Sequence, residues 1–123
     1  MKTVIVDTNI LFSSLRSSNS KLREVLERRD CRFYTTNFLM VEIFKHKERI
    51  LQKSKATADE VNDVLYKILH KLTFINEESI SLANFIEAHR LCSNIDENDT
   101  PFVALTLELQ GELWTNDDVL NEV

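Results

Sequence analysis

The sequence is poor in the residues that interrupt or cross-link a chain: its 123 residues contain one glycine, one proline and two cysteines. This composition leaves little room for linkers, and no internal repeat is present. No apolar run approaches the roughly 20 residues of a membrane-spanning helix, and the first residues enter a predicted strand without the basic region and long apolar stretch typical of a signal peptide. Cys31 and Cys92 lack partners at metal-ligand spacing, which favours free buried thiols in a reducing compartment. We therefore expect one cytoplasmic domain, residues 1–123, without a membrane partner.

Acidic residues outnumber basic ones and give a formal net charge of −5 at pH 7. This balance argues against a broad nucleic-acid-binding face. It does not exclude a nucleic-acid substrate, because basic side chains that cluster locally can still contact phosphates. Two basic clusters occur, each of which could instead be a solvated helix face. They comprise Lys21, Arg23, Arg28, Arg29 and Arg32, and Lys45, Lys47, Arg49, Lys53 and Lys55.

Short strands alternate with helices along the chain. Apolar and β-branched runs predict strands at 3–6, 32–35, 73–75 and 112–115. Helices are predicted from Ser20 onward and over 37–53, 57–72, 79–91 and 100–110, with a final helical turn at 118–123. This order predicts parallel strands joined by right-handed crossovers. We therefore predict an α/β domain with a central four-stranded parallel sheet, helices on both faces and the apolar first strand in the centre.

The helix over 57–72 has the clearest pattern. Thr57 and Glu60 form a capping box, and an apolar stripe then runs from Val61 to Leu72 at helical spacing. The stripe faces either the core or a partner, such as a second copy or a small protein. Gly111 is predicted to cap the C-terminus of the helix over 100–110.

Four carboxylates fall at positions that a parallel α/β sheet can bring together. Asp7 ends the first strand, Asp99 precedes the helix that begins Thr100-Pro101, and Asp117 follows the last strand. Glu42 interrupts an apolar helical run. Ligands bind such sheets at the carboxyl ends of the strands, so we expect the four acids to converge there.

Each acid also has an ordinary structural interpretation. An aspartate can terminate a strand or cap a helix, and Glu42 could pair with Lys45 or His46 at helical spacing. The joint pattern favours a metal site, because two carboxylates about 5 Å apart repel by ~3 kcal/mol at an effective dielectric of about 20. Oxygen ligands without cysteine or histidine select Mg²⁺ or Mn²⁺.

The reaction that uses such a site is metal-assisted hydrolysis of a phosphodiester. Thr8, Asn9, Thr115 and Asn116 stand beside the acids and could orient water around the metal. Two acids have close alternatives as ligands, since Asp96 precedes Asp99 by three residues and Asp118 follows Asp117.

These motifs resemble those of PIN-domain ribonucleases, in particular the short VapC-type toxins of toxin–antitoxin pairs. The matching segments keep the family's order and extend over nearly the whole chain. They are Val4-Ile5-Val6-Asp7-Thr8-Asn9-Ile10-Leu11, the helix around Glu42, Asp99-Thr100-Pro101-Phe102-Val103-Ala104-Leu105 and Leu113-Trp114-Thr115-Asn116-Asp117.

The resemblance implies a PIN-like fold and a Mg²⁺- or Mn²⁺-dependent endoribonuclease with Asp7, Glu42, Asp99 and Asp117 as metal ligands. It also implies an RNA substrate, a homodimer and a small inhibitory antitoxin. Family members continue past the Thr-Asn-Asp segment into another strand. The edge strand of this chain is therefore expected to be missing, or the chain to be truncated from a five-stranded form.

Two other function classes compete with RNA cleavage. A catalytically inactive PIN-like module would bind protein or RNA through its basic helix or its apolar stripe and would bind no metal. An aspartyl-nucleophile phosphatase would need a second aspartate two residues after Asp7, where this chain has Asn9, and is disfavoured.

Overall fold

The structure is a computed structural model that describes residues 1–16, 21–53, 57–114 and 121–122. Its strands are β1 (Lys2–Val6), β2 (Cys31–Thr36), β3 (Thr73–Ile75), β4 (Glu112–Trp114) and β5 (Asn121–Glu122). Its α-helices are α1 (Thr8–Arg16), α2 (Lys21–Leu26), α3 (Phe38–Lys53), α4 (Ala58–His70), α5 (Leu82–Cys92) and α6 (Thr100–Leu109). Short 3-10 turns at Glu77–Ser79 and Glu97–Asp99 precede α5 and α6. Among the helices so described, none is long and apolar enough to cross a membrane.

The first strand lies in the middle of the sheet, whose order is β3-β2-β1-β4-β5. β1 pairs in parallel with both β2 and β4, and β2 pairs in parallel with β3. Val4, Ile5 and Val6 are completely buried. Because successive strand residues point to opposite faces, their burial means that both faces of β1 are covered. The predicted α/β class, the four parallel strands and the central position of the first strand are confirmed.

The edge beyond β4 differs from the prediction. Asn121–Glu122 forms a two-residue strand that pairs antiparallel with β4, and Glu122 lies opposite Glu112. The helical turn predicted at 118–123 is therefore wrong at these two residues, while residues 118–120 and 123 lie outside the described part of the chain. Pairing supplies hydrogen bonds to an otherwise open sheet edge, whereas an isolated helical turn carries the full cost of nucleation.

The prediction also missed helix α1, which begins immediately after Asp7. The Asp7 carboxylate accepts a hydrogen bond from the backbone N–H of Ile10 at 3.0 Å, in the manner of a helix N-cap. Leu11 and Leu15 lie on the buried side of the helix. The polar residues after β1 therefore start a helix rather than a loop, and this places the cleft-lining residues Thr8 and Asn9 on its first turn.

Helix α4 confirms the capping box and shows where the apolar stripe packs. The N–H of Glu60 donates to Thr57 Oγ1 at 3.2 Å. Four stripe residues, Val61, Leu65, Ile68 and Leu72, are each at most 8% exposed and belong to the main core. Packing in the core, rather than a partner surface, therefore explains these four apolar residues. Both cysteines are free and buried, as predicted.

The end of α6 corrects the role predicted for Gly111. Gln110 ends the helix with a positive φ of 52°, and Gly111 donates its N–H to the Thr106 carbonyl at 3.1 Å. A Cβ atom on Gly111 would lie 2.7 Å from the Thr3 carbonyl oxygen and 2.7 Å from Ile5 Cδ1. Glycine is needed here because β4 begins against the backbone of β1, and not because the helix cap requires it.

A Gly111→Ala substitution is expected to lower the free energy of unfolding by about 1–3 kcal/mol, because the added methyl group meets backbone that cannot yield cheaply. Urea denaturation would measure the loss. Gln110→Gly is the matched control and is expected not to destabilise, since glycine tolerates a positive φ. A more stable Gly111→Ala variant would contradict the close approach.

Candidate functional site

Three acids named in the sequence analysis, Glu42, Asp96 and Asp99, line one cleft, and Asp7 directly precedes the lining residue Thr8. Asp7 follows the central strand, Glu42 lies in the second turn of α3, and Asp99 is the N-cap residue of α6. The cleft has a volume of about 270 Å³ and is lined by Glu42 and Asp99 together with Thr8, the residue directly after Asp7. Asp7 is 8% exposed and Glu42 is 7% exposed, while Asp99 is half-buried. The fold thus brings acids from three separate elements to the cleft or next to it, and it removes Asp7 and Glu42 almost completely from solvent.

Burial dominates the titration of Asp7. The pKa of this carboxyl is raised to about 6, mainly by burial and in smaller part by the negative charge of Asp99. The backbone N–H groups of Ile10 and Asn9 oppose the shift because they donate to the charged form. A carboxylate in this position gains from a nearby cation, which would offset both the desolvation and the repulsion.

Asp99 is affected by the same cluster. Burial raises its pKa first, and the charges of Asp96 and Glu42 raise it further. The charge of Asp99 thus acts on Asp7, and the charges of Asp96 and Glu42 act on Asp99. The sequence predicted that Asp7, Glu42, Asp99 and Asp117 converge; Asp117 lies outside the described residues, and a common metal site for the four acids stays a prediction.

Glu42 has a single basic neighbour across one helical turn. His46 Nε2 lies 3.2 Å from Glu42 Oε2, so the structure selects His46 over Lys45 as its partner. The His46 ring packs edge-on against Phe12, with the ring centroids 5.8 Å apart. This contact orients the imidazole and fixes one carboxylate oxygen of Glu42 at the cleft.

The two acids before α6 play different structural roles. The Asp96 side chain is exposed and accepts a hydrogen bond from the N–H of Asn98 at 3.0 Å, which caps the 3-10 turn. Asp99 stands at the N-cap position of α6, yet its side chain makes no capping hydrogen bond. The carboxylate of Asp99 is therefore not engaged in capping α6, whereas that of Asp96 caps the 3-10 turn, and both acids line the cleft.

The described residues fit a divalent cation in chemistry but do not form a complete site. The donors are carboxylate oxygens, and the buried Thr8 hydroxyl beside them has no hydrogen-bond partner in the described part of the chain. Across residues 1–16, 21–53, 57–114 and 121–122, no group of three or more His, Cys, Asp or Glu side chains could hold a metal ion. Four predicted site residues lie outside these ranges, namely Thr115, Asn116, Asp117 and Asp118.

The cleft also contains residues that the prediction did not place there. His46, Arg49 and Lys53 line it from α3. The sequence showed Arg49 and Lys53 only as part of a basic cluster. Their spacing from Glu42, at 4, 7 and 11 residues along one helix, was the available signal that all four side chains share a face.

Comparison with known families agrees with this architecture. The model of the PIN domain matches residues 5–122, which is almost the whole chain. No curated protein matches the sequence. PIN domains are generally nucleases, so the fold is of a nuclease type and points to a hydrolase. The match extends from β1 to β5 and includes every element that carries a cleft acid, and on this ground the chain belongs to the PIN domain family.

Proposed function

We propose that this protein is a metal-dependent endoribonuclease. The observation that carries the proposal is the position of the buried Asp7 beside a cleft that Glu42 and Asp99 line, with the charge of Asp99 acting on Asp7 and that of Glu42 on Asp99. In the proposed reaction a water molecule attacks an RNA phosphodiester, and the break leaves a 5′-phosphate and a 3′-hydroxyl. Membership of a family that generally consists of nucleases supports the reaction class.

The proposed roles follow from where each side chain lies. Asp7 and Asp99 would hold Mg²⁺ or Mn²⁺, while Glu42 and Asp117 would complete the ligand set or orient water. Thr8 and Asn9 on the first turn of α1 would position that water through their polar side chains. A bound divalent cation would supply activation of water and compensation of charge at the phosphate.

The environment of the acids is consistent with the binding of a cation. Asp7 is held at the end of the central strand, where its charged form is desolvated. His46 keeps Glu42 in place through their 3.2 Å contact. Repulsion within the group is costly in the free protein and is offset when a cation binds, so metal affinity is expected to fall as these acids become protonated.

Regulation by a small antitoxin and assembly as a homodimer are part of the proposal. Large apolar side chains stand exposed on two helices and offer surface that such a partner would cover. They are Val41 and Phe44 on α3 and Leu82 and Ile86 on α5. Light scattering of the purified protein would measure its oligomeric state.

The proposal is tested by incubating the protein with a 5′-labelled single-stranded RNA and Mn²⁺ or Mg²⁺. Cleavage is expected with either ion and is expected to stop with EDTA. An Asp99→Asn variant is expected to lose activity by more than about 100-fold, since even the groups that only orient metal ligands are worth about 10–100-fold. Calorimetric titration with Mn²⁺ would show the matching loss of affinity.

Asp96→Asn is the matched control for that variant. Asparagine caps helices about as well as aspartate, so this substitution is expected to keep the 3-10 turn and most of the activity. The reverse pattern would assign the metal to Asp96. A folded wild-type protein that binds no Mn²⁺ at millimolar concentration and cuts no RNA would favour the non-catalytic binding module.

A further inference from the structure

One face of α3 changes from acidic to basic along the cleft. Glu42, His46, Arg49 and Lys53 follow at intervals of four, three and four residues, and all four line the cleft. With 3.6 residues per turn, this spacing keeps them in one narrow stripe. Arg49 and Lys53 lie about 10 and 16 Å from Glu42 along the helix axis. The helix therefore presents a row of cations that leads away from the acids.

The charges of this row are available for a ligand. Both Arg49 and Lys53 are exposed, and within the described ranges neither has a carboxylate oxygen within 4 Å. Several other basic side chains are already engaged with acids. These include Arg28 with Asp30, Lys67 with Asp63, Lys71 with Glu27 and Arg90 with Glu87.

Because the protein as a whole is negatively charged, the binding of a polyanion at the cleft depends on these two basic side chains. A net charge of −5 gives the protein no general attraction for RNA. Of the described residues that line the cleft, Arg49 and Lys53 are the two with a permanent positive charge. Phosphate contacts next to the acids would therefore depend on them.

We propose that Arg49 and Lys53 bind the backbone phosphates of a single RNA strand whose reacting phosphate lies at the acidic end of the cleft, beside Glu42. The proposal rests on the proposed function and names the path of its substrate. At a rise of about 3.4 Å per stacked nucleotide, the two cations would meet the strand about three and five nucleotides from the acids.

The size of the cleft favours a single strand over a duplex. Its volume of about 270 Å³ is below the range of about 300–1,000 Å³ that is usual for small-ligand pockets. A single strand can bring one phosphate to the acids while its other phosphates lie along the exposed side chains of Arg49 and Lys53, whereas a base-paired helix is too wide to bring a phosphate to an acid as buried as Glu42.

The test measures RNA binding without cleavage. Fluorescence anisotropy with a labelled ten-nucleotide single-stranded RNA is recorded in EDTA over a series of salt concentrations. The double variant Arg49→Gln/Lys53→Gln is compared with Lys45→Gln/Lys47→Gln, which removes the same charge from the same helix at residues that do not line the cleft.

The cleft variant is expected to bind about tenfold more weakly or worse at low salt. Each lost phosphate contact lowers the slope of log K against log salt by about 0.7 for a single strand, so a loss of about 1.4 is expected. The control variant is expected to keep the wild-type slope within about 0.3 of its value.

Equal losses in both variants, unchanged binding by the cleft variant, or no binding by the wild type would each overturn the proposed path. These outcomes are separate from a failure of the proposed function, because binding in EDTA does not require catalysis. A protein that binds through Arg49 and Lys53 but never cuts RNA would keep the binding path and refute the nuclease. Circular dichroism would show whether both variants are folded.

Discussion

An Asp7→Asn variant is expected to lose RNA cleavage by more than about 100-fold while becoming more stable toward unfolding at neutral pH. Asparagine keeps an oxygen that can accept the hydrogen bond from the Ile10 N–H, so the start of α1 is preserved. It removes the charge that the proposed metal requires. The same change removes a buried charge that the folded chain has to desolvate.

The pH dependence of this gain follows from the raised pKa of Asp7. The shift from 3.8 to about 6 means that the folded protein holds the Asp7 proton more tightly than the unfolded chain. The resulting stabilisation of the wild type is complete below pH 3.8 and is lost as the pH rises through about 6. At about 1.4 kcal/mol per pKa unit, the variant is expected to gain at most about 3 kcal/mol above pH 6 and almost nothing near pH 4.

Urea denaturation in EDTA at several pH values would measure the gain in stability, and the labelled-RNA assay would measure the loss of cleavage. Asp63→Asn is a suitable control, because Asp63 is exposed on α4 and pairs only with surface Lys67. That variant is expected to change neither quantity appreciably. An Asp7→Asn protein that is folded and still cuts RNA at the wild-type rate would refute the role of Asp7.

A Phe102→Ala variant is expected to lose about 3–5 kcal/mol of folding free energy, the usual cost of emptying a buried aromatic site. Phe102 is 2% exposed in the first turn of α6. Its ring packs against Phe38 at the start of α3, with centroids 6.3 Å apart. The side chain therefore joins the two helices that present Asp99 and Glu42, and its loss is expected to weaken the cleft as well as the core.

The size of this effect requires a milder companion variant. A loss of 3–5 kcal/mol is comparable with the total stability of about 5–15 kcal/mol of a typical domain, so Phe102→Leu provides a folded intermediate case. Ile95→Ala is the control, since Ile95 is 84% exposed and its truncation is expected to cost less than about 0.5 kcal/mol. Thermal and urea unfolding would measure all three variants. Equal stability of the Phe102 and Ile95 alanine variants would contradict the packing.

Sequence patterns predicted the structure correctly where the local preferences of a segment agree with its packing in the fold. The apolar first strand predicted its own central position, and the spacing from Thr57 to Leu72 predicted both the cap and the core face of α4. The position of Asp7 at the carboxyl end of β1 followed from the apolar run that precedes it. In each case the physical cause could be read from neighbouring residues in the chain.

Features that depend on contacts between distant parts of the chain could not be predicted from local sequence patterns. Gly111 resembled a helix cap, yet the backbone of β1 decides its role through contacts with residues more than 100 positions away. The strand at Asn121–Glu122 needed the edge of β4 to be present before it could form.

The position of Asp7 at the end of the most deeply buried strand also affects the dynamics of the cleft. Amide hydrogens in such a strand exchange with solvent only when the whole domain unfolds, whereas helix ends and loops open far more readily. An acid anchored there keeps its place through the local fluctuations that move surface segments. Asp7 would therefore lose its place only together with global unfolding, whereas Asp99, at the N-terminus of α6, can move in local fluctuations.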